Sequence, residues 1–355
     1  MKLFSKFILS TVATIAFTAS AAKPALDVNV DVETLVNGDV NATLTITNNH
    51  KGQQKLLNWY TELEEEHIFH VTRDGVEVDF MGPHYKRHAP TEKDYIKLKS
   101  GESLTKTFEL TANYDMSAAG QYEISYEVSS FHLYSNHGQQ KKAERRNVET
   151  LSSNTVSIYF DGIASKGTAN KGKPGGGAGD CIDGTCFTGR CSNSQQTEIM
   201  SALSAADGLA NNAVNYFNSH SANNVSDRYT TWFGDANSSR FNTAKANFEA
   251  IDDAIDNQPV AFDCSCKKSY FAYVYPNQPY KVYLCRAFWD ANELGTDSRA
   301  GTIIHELSHF NAVAGTDDIV YGQSGAKDLA ISNPDQALIN ADSHEYFAEN
   351  TPHQD

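Results

Sequence analysis

The first half of the chain contains segments in which apolar and polar residues alternate. The pattern occurs at residues 41–49, 104–112, 122–131 and 154–160. Turn-forming sequences such as Asn37-Gly38-Asp39 and Asp74-Gly75 fall between them. Because successive side chains of a strand point to opposite faces, a period of two predicts strands that bury one face. Short strands of this kind, separated by frequent turns, predict an antiparallel β-sandwich.

The second half has a different periodicity. Apolar residues recur at spacings of three and four in two segments, which predicts two amphipathic helices. Their apolar stripes comprise Ile199, Leu203, Ala206 and Leu209 in one helix near 195–218, and Phe241, Ala244, Phe248, Ile251 and Ile255 in the other. Residues 269–285 predict two aromatic-rich strands around a Pro-Asn-Gln-Pro turn. We therefore expect an α+β protein whose second half is helix-rich and carries a small β-sheet.

A glycine-rich segment separates the two halves. Seven of the nineteen residues from Gly162 to Asp180 are glycine, and large apolar residues are almost absent. Such a segment buries too little surface to offset its ordering entropy, which predicts a flexible, protease-accessible linker. The expected organisation is a β-rich domain at 23–161, a linker at 162–180 and a second domain at 181–355.

The first 22 residues have the layout of a secretory signal peptide. Lys2 and Lys6 precede an apolar run from Phe7 to Phe17, and small residues follow at 19–21. The run is too short to span a bilayer. We therefore expect an exported protein with no membrane attachment after signal removal. The formal net charge of −15 argues against a nucleic-acid partner, which would need a basic face.

All six cysteines lie in the second half, at positions 181, 186, 191, 264, 266 and 285. An even number of cysteines in one region of an exported chain predicts disulfides rather than a metal cluster. Six cysteines allow about fifteen pairings, and the sequence by itself does not select among them.

Residues 301–322, GTIIHELSHFNAVAGTDDIVYG, contain two histidines four positions apart. On a helix, His305 and His309 project from one face and could both bind a zinc ion, whose bonds to histidine are about 2.0–2.1 Å long. Glu306 lies on the adjoining edge, where it could accept a proton from a metal-bound water. The apolar neighbours favour a buried helix that ends at Gly315.

A catalytic zinc site needs three protein ligands and one open position. A third histidine is absent at the spacing found in one class of zinc peptidases, because position 312 is Ala and position 315 is Gly. Two alternatives remain for the third ligand. Asp317 and Asp318 follow a Gly-Thr turn that would fold back beneath the helix, whereas Glu345 or Glu349 would come from a later helix.

The two motifs HELSH at 305–309 and GTDDIVYG at 315–322 resemble those of the aspzincins, the deuterolysins and peptidyl-lysine metalloendopeptidases. The resemblance implies one zinc ion per chain, bound by His305, His309 and Asp318. It also implies that Glu306 is the general base and that Tyr321 donates a hydrogen bond to the tetrahedral oxyanion. The resemblance further implies the disulfide pairs Cys181–Cys186, Cys191–Cys264 and Cys266–Cys285. The order of segments resembles secreted, toxic bacterial endopeptidases made as zymogens.

Charge indicates the substrate class. Residues 174–355 contain 23 acidic and 10 basic residues, so this half should attract basic substrates. Asp342 and Glu345 lie three positions apart and thus on one helix face. In lysine-specific aspzincins such a pair resembles the S1′ pocket for the substrate ammonium, which predicts cleavage of proteins and peptides on the amino side of lysine. Alternatively, the two acids interact only with the helix macrodipole.

The linker contains Lys166, Lys171 and Lys173. An enzyme that cleaves before lysine would find its own processing sites there, with Lys171 and Lys173 the favoured positions. The first half would then be an inhibitory propeptide, and Lys86 in the loop at 81–90 could occupy the S1′ pocket. We expect a monomer in which the propeptide is an intramolecular inhibitor.

The sequence also allows two non-catalytic interpretations. His67 and His70 follow Glu64, Glu65 and Glu66, a cluster that predicts a solvated charged face. The whole chain could instead be an exported binding or adhesion protein with a structural zinc. Structural zinc sites use four cysteine or histidine ligands, and a glutamate next to a ligand would have no role in one.

Overall fold

The computed structural model describes residues 26–62, 66–134, 148–163 and 181–354. The expected signal peptide and most of the expected linker, including its three lysines, lie outside these residues. In the described part of the first half the chain forms strands β1 (Leu26–Thr34), β2 (Val40–Asn48), β3 (Gln54–Leu57), β4 (Phe69–Arg73), β5 (Val76–Glu77), β6 (His84–Lys86), β7 (Tyr95–Leu98), β8 (Ser103–Glu109), β9 (Gly120–Ser130), β10 (Glu149–Ser152) and β11 (Val156–Phe160). Short 3-10 helices occur at Asn58–Thr61, Glu92–Asp94 and Leu110–Ala112.

The second half contains helices and short strands. Its strands are β12 (Cys181–Ile182), β13 (Thr185–Thr188), β14 (Ala261–Asp263), β15 (Ala272–Val274) and β16 (Lys281–Leu284). Its helices are α1 (Asn193–Ser219), α2 (Asp227–Phe233), α3 (Ser238–Asn257), α4 (Arg286–Asp290), α5 (Arg299–His309), α6 (Gly322–Ser332), α7 (Pro334–Ala337) and α8 (Ala341–Glu349). The combination of helices and sheets confirms the α+β class. None of the described helices is long and apolar enough to cross a membrane.

Antiparallel sheets build the first half. One sheet has the order β1-β2-β8, and a second joins β10, β9, β4 and β5, with β11 also paired to β9. Strand β2 shows why the alternating sequence forms a sheet, because each second side chain is buried. Val30 and Leu44 of the first sheet and Tyr122 and Ile124 of the second belong to one apolar core. The two sheets therefore stabilise each other by burial of their inner faces.

Helices α1 and α3 contain the two predicted apolar stripes. Ser192 and Gln195 form a capping box at the start of α1, and the Asn237 side chain accepts a hydrogen bond from the backbone N–H of Arg240 at the start of α3. The stripe residues Phe248 and Ile251 are fully buried. They belong to a second core, separate from that of the first half, which also contains side chains of α5 and α8.

A six-stranded sheet connects the two halves of the chain. Its order is β12-β13-β14-β16-β15-β6, so a strand of the first half forms one of its edges. Strand β6 pairs antiparallel with β15, with Val274 opposite His84, Tyr273 opposite Tyr85 and Ala272 opposite Lys86. This pairing positions β6 over helix α5.

Three disulfides stabilise the second half. They join Cys181 to Cys186, Cys191 to Cys264 and Cys266 to Cys285, the pairs that the resemblance implies. The first bridge links the paired strands β12 and β13. Each bridge is expected to contribute about 2–4 kcal/mol by restricting the unfolded chain.

Candidate metal centre and active site

Helix α5 positions the two motif histidines. Its N-terminus is capped by the Ser298 hydroxyl, which accepts a hydrogen bond from the backbone N–H of Gly301 at 2.9 Å. His305 and His309 are fully buried on one face, with ring centroids 4.8 Å apart. The spacing of four residues thus brings both imidazoles to one point, as the sequence predicts.

The helix ends at His309, six residues before the Gly315 end that the sequence predicts. Phe310 is extended, and the next backbone N–H, of Asn311, donates to the carbonyl of Pro276 at 3.1 Å. A tertiary hydrogen bond therefore replaces the next helical one. Gly315 instead lies in the following loop, with φ of +58°.

This loop returns the chain to α5. The backbone N–H of Thr316 donates to the carbonyl of Ser308 at 3.1 Å. Further along, the Asn340 side chain accepts hydrogen bonds from the backbone N–H groups of Ile319 and Val320, each at 3.1 Å. Asp318 lies between these two anchors, so its carboxylate is held beneath the helix.

The carboxylate of Asp318 faces both histidines. Its Oδ1 lies 3.1 Å from Nε2 of His305, and its Oδ2 lies 3.5 Å from Nε2 of His309. Ligands of a tetrahedral zinc with bonds of 2.0–2.1 Å are about 3.3 Å apart, which agrees with this spacing. Burial alone would raise the pKa of Asp318, but the two imidazoles lower it below its usual range.

Three of these buried atoms have no hydrogen-bond partner among the described residues: Nε2 of His305, Nε2 of His309 and Oδ1 of Asp318. Buried polar atoms are normally satisfied, so convergent unsatisfied donors and acceptors indicate a ligand. Two neutral imidazoles and one carboxylate are the donor set of an open, catalytic zinc site. The residues present therefore fit zinc.

The alternative third ligands lie elsewhere. Glu345 lies on the opposite side of the His305 ring, with its Oε2 at 3.2 Å from Nδ1. Glu349 accepts hydrogen bonds from the backbone N–H and the hydroxyl of Ser298 at 2.8 and 2.7 Å. Neither carboxylate is beside both Nε2 atoms, so the geometry favours Asp318.

Glu306 lies next to this point and is fully buried. Its Oε1 accepts a hydrogen bond from the backbone N–H of Lys86 at 3.2 Å, whereas its Oε2 has no partner among the described residues. Burial raises the pKa of Glu306 to about 8. The side chain can therefore exchange a proton near neutral pH.

Asp342 and Glu345 form a buried acidic pocket at the start of α8, and Lys86 of β6 occupies it. The ammonium of Lys86 lies 2.7 Å from Glu345, 3.4 Å from Asp342 and 3.2 Å from Asp297. Burial by itself would lower the pKa of Lys86, but the three carboxylates raise it well above its usual value. The pocket thus holds the Lys86 ammonium between Asp342 and Glu345, the two acids that the sequence analysis associates with a substrate lysine.

The hydroxyl of Tyr321 donates a hydrogen bond to Oε1 of Glu66 at 3.0 Å. Its predicted role would require it to point at the reacting carbonyl, so in this structure its donor is used by a residue of the first half. Glu66 also lies 3.4 Å from the guanidinium of Arg87, and burial raises the pKa of Glu66 to about 8. Arg87 is itself buried beside the Tyr321 ring.

The sequence interpretation of residues 64–70 as a solvated face is wrong for Glu66 and His67. Both are partly buried beside the site: the Glu66 side chain is 11% exposed, and the His67 ring stacks on Phe80 at 4.8 Å. Only the charge of the cluster was visible in the sequence, whereas the partners that bury it are distant along the chain. His70 is exposed, as expected.

Comparisons with known proteins identify the family. Residues 217–349 match the aspzincin family model, described as lysine-specific metallo-endopeptidase. The chain is 46% identical over 323 residues to an extracellular protease of Aeromonas hydrophila, covering 90% of this chain and 91% of that protein. It is 35% identical over 370 residues to a peptidyl-Lys metalloendopeptidase of Armillaria mellea, covering 99% of each.

A solved zinc peptidase from Grifola frondosa is 46% identical and covers 46% of this chain and 100% of its own, with a TM-score of 0.44. The fold combines helices and sheets, and the two full-length relatives are proteases. The chain belongs to the aspzincin family of metalloendopeptidases.

Proposed function

We propose that this chain is the precursor of a secreted zinc endopeptidase that cleaves proteins and peptides on the amino side of lysine. The observation that carries the proposal is the placement of Lys86. Its ammonium lies in the pocket of Asp342 and Glu345, while its backbone nitrogen lies 3.2 Å from Glu306. A lysine in this position has the peptide bond on its amino side next to Glu306, the proposed general base.

The direction of β6 supports this proposal. Strand β6 runs antiparallel to β15, and an extended substrate can add to a sheet edge in the same way. The backbone N–H of Tyr85 donates to Oδ2 of Asp318 at 3.0 Å, which fixes the residue that precedes the lysine. The Tyr85–Lys86 bond therefore lies where a scissile bond would lie.

The mechanism follows from the residues around that bond. We assign His305, His309 and Asp318 as the ligands of one zinc ion, which supplies a Lewis acid that acidifies water and polarises a carbonyl. Oε2 of Glu306 accepts the proton of the attacking water and delivers it to the leaving lysine nitrogen. The hydroxyl of Tyr321, once free of Glu66, donates a hydrogen bond to the developing oxyanion.

The specificity follows from burial. Asp342 and Glu345 are both fully buried, so an unpaired charge there is costly and a matching ammonium is strongly favoured. The backbone N–H of Gly322 donates to Oδ2 of Asp342 at 2.6 Å and thereby orients this carboxylate. A neutral side chain of equal length would leave both acids without a counter-charge.

The first half is assigned as the inhibitory propeptide, residues 23–161, with the peptidase domain at 181–355. The shared core of its two sheets supports the description of the propeptide as a β-sandwich. It supplies Lys86 to the acidic pocket and Glu66 to Tyr321, so two groups that the reaction needs are held by the propeptide. Removal would follow cleavage at Lys171 or Lys173 by the enzyme itself.

The test uses the processed enzyme and peptides that differ at one position. The peptides carry Lys, Arg, norleucine or Ala at P1′. We expect the Lys peptide to be cleaved at least about 100-fold faster than the other three. A zinc chelator should abolish cleavage of casein, and added zinc should restore it. Equal cleavage of the norleucine peptide would refute lysine specificity, and cleavage that resists the chelator would refute the zinc mechanism.

A further inference from the structure

His84 is the first residue of β6 and lies directly over the proposed zinc ligands. Its backbone is held by the pairing with Val274, and the next residue, Tyr85, donates its N–H to Asp318. The side chain is 14% exposed. The His84 ring is therefore confined to a small region beside the metal-binding atoms.

The imidazole of His84 is close enough to join them. Its ring centroid lies 5.0 Å from that of His309. A ring nitrogen of His84, a ring nitrogen of His309 and a carboxylate oxygen of Asp318 all lie within 4.8 Å of one another. Since zinc ligands are about 3.3 Å apart, a ring movement of about 1–2 Å would bring the nitrogen of His84 to bonding distance.

The surroundings of His84 permit this movement. His84 lines a small cavity together with His67, Phe80, Pro83 and Asp318. The His84 side chain therefore has free space beside it in which a small movement of the ring can be accommodated.

A carboxylate orients the ring for this purpose. Nδ1 of His84 lies 3.4 Å from Oδ1 of Asp317. Histidines that bind metals usually donate their other ring N–H to a carboxylate or carbonyl, which fixes the tautomer. His309 shows the same arrangement, because its Nδ1 lies 2.9 Å from the carbonyl of Thr316. With Nδ1 facing Asp317, Nε2 is the nitrogen left for the metal.

We propose that His84 is a fourth protein ligand of the zinc ion in the precursor. It would take the open position that hydrolysis requires, so the precursor would hold a closed, four-ligand site and the processed enzyme an open one. This explains how a lysine can lie in the cleft with its amide at Glu306 without being cleaved. The inference rests on the proposed zinc site and adds its precursor-specific ligand.

The experiment counts imidazoles at the metal. The full-length Glu306→Gln precursor, which keeps all proposed ligands and cannot process itself, is loaded with zinc and measured by X-ray absorption at the zinc edge. We expect three imidazoles. The same precursor with His84→Ala should show two imidazoles, whereas His70→Ala, which removes an exposed histidine, should leave three. Chelator competition should show zinc bound about 10- to 100-fold more weakly after His84→Ala.

The count in the chain with His84 present decides the question even if the His84→Ala variant fails to fold. Two imidazoles there would overturn the assignment of His84 while leaving the zinc site intact. Three imidazoles that persist after His84→Ala would overturn it as well, because another histidine would be the ligand. A precursor that binds no zinc would refute the proposed function together with this inference.

Discussion

Replacement of Lys86 by Met is the most direct test of how the first half, the proposed propeptide, is held against the second half. Methionine has a similar length and no charge, so the substitution removes the ammonium and leaves most of the apolar stem. In the structure this ammonium is fully buried and lies within 3.4 Å of Asp342, Glu345 and Asp297. It also lies 5.0 Å from the centre of the Phe271 ring. All of these interactions join the first half of the chain to the second half.

The size of the effect follows from burial. Removal of one partner of a buried ion pair costs about 3–5 kcal/mol, because the other charge is left uncompensated. Each 1.4 kcal/mol is a factor of about ten, so the equilibrium constant that favours the closed precursor should fall by about 10²- to 4 × 10³-fold. Burial raises the pKa of Glu345, so this group can take up a proton when the ammonium is absent. Protonation of Glu345 reduces the cost of losing the ammonium, so we expect the smaller weakening, about 100-fold.

The assay measures the activity of a precursor that stays intact. Lys166, Lys171 and Lys173 are replaced by Ala to prevent linker cleavage, and hydrolysis of a short lysine peptide reports the open fraction. Lys86→Met should raise this activity about 100-fold, whereas Lys93→Met, which removes an exposed lysine of the propeptide, should not change it. If the two variants hydrolyse the peptide equally fast, the acidic pocket does not hold the propeptide closed, and the reasoning is refuted.

Three further predictions concern catalysis and stability. Glu306→Gln should lower kcat of the processed enzyme about 10²- to 10⁴-fold with zinc still bound, and the precursor should stay uncut at its linker; trimming of this variant would show that another protease processes it. Tyr321→Phe should lower kcat about 10²- to 10³-fold with little change in KM, because the hydroxyl acts only in the transition state. A variant with unchanged kcat and a raised KM would contradict its role as an oxyanion donor. Burial raises the pKa of Glu349 from 4.5 to about 8, so its protonated form is favoured by folding. The contribution of protonated Glu349 to the free energy of unfolding is therefore complete below about pH 4.5 and is lost as pH rises to about 8. The free energy of unfolding should fall by a few kcal/mol over that range. Glu349→Gln should remove this part of the pH dependence in denaturant titrations.

The sequence predicts the long, periodic elements of the fold well. The four alternating segments correspond to β2, β8, β9 and β11, with ends that differ by three residues or fewer. Strand β1 is not among the predicted segments, although its sequence, LDVNVDVET, alternates in the same way. Strands β6 and β14 have three residues each, too few to show a period, and they exist because a partner strand lies beside them. The β-sandwich description of the first half stays a prediction.

The site divides into a local part and a long-range part. His305, Glu306, His309 and Asp318 lie within fourteen residues, so motif spacing and chain reversal could be read from the sequence. The contact of Lys86 with the acidic pocket joins residues 256 positions apart, and its placement followed from charge complementarity alone. Glu66 carried no such signal, because its partner Tyr321 is 255 positions away and a run of three glutamates indicates solvent exposure.

Strand β6 covers a sheet edge that the proposed processing would expose. While it is present, β15 is an interior strand, with the N–H of Phe271 bound to the carbonyl of Lys86 at 3.0 Å. If the proposed processing removes the first half, β15 would become an edge strand whose backbone groups can pair with any extended chain. The severed fragment retains the same three residues, so it would compete with substrates for that edge and delay full activity until it is diluted or degraded. An enzyme freed at high concentration would also be exposed to self-association through this edge, a hazard from which the uncut molecule is protected.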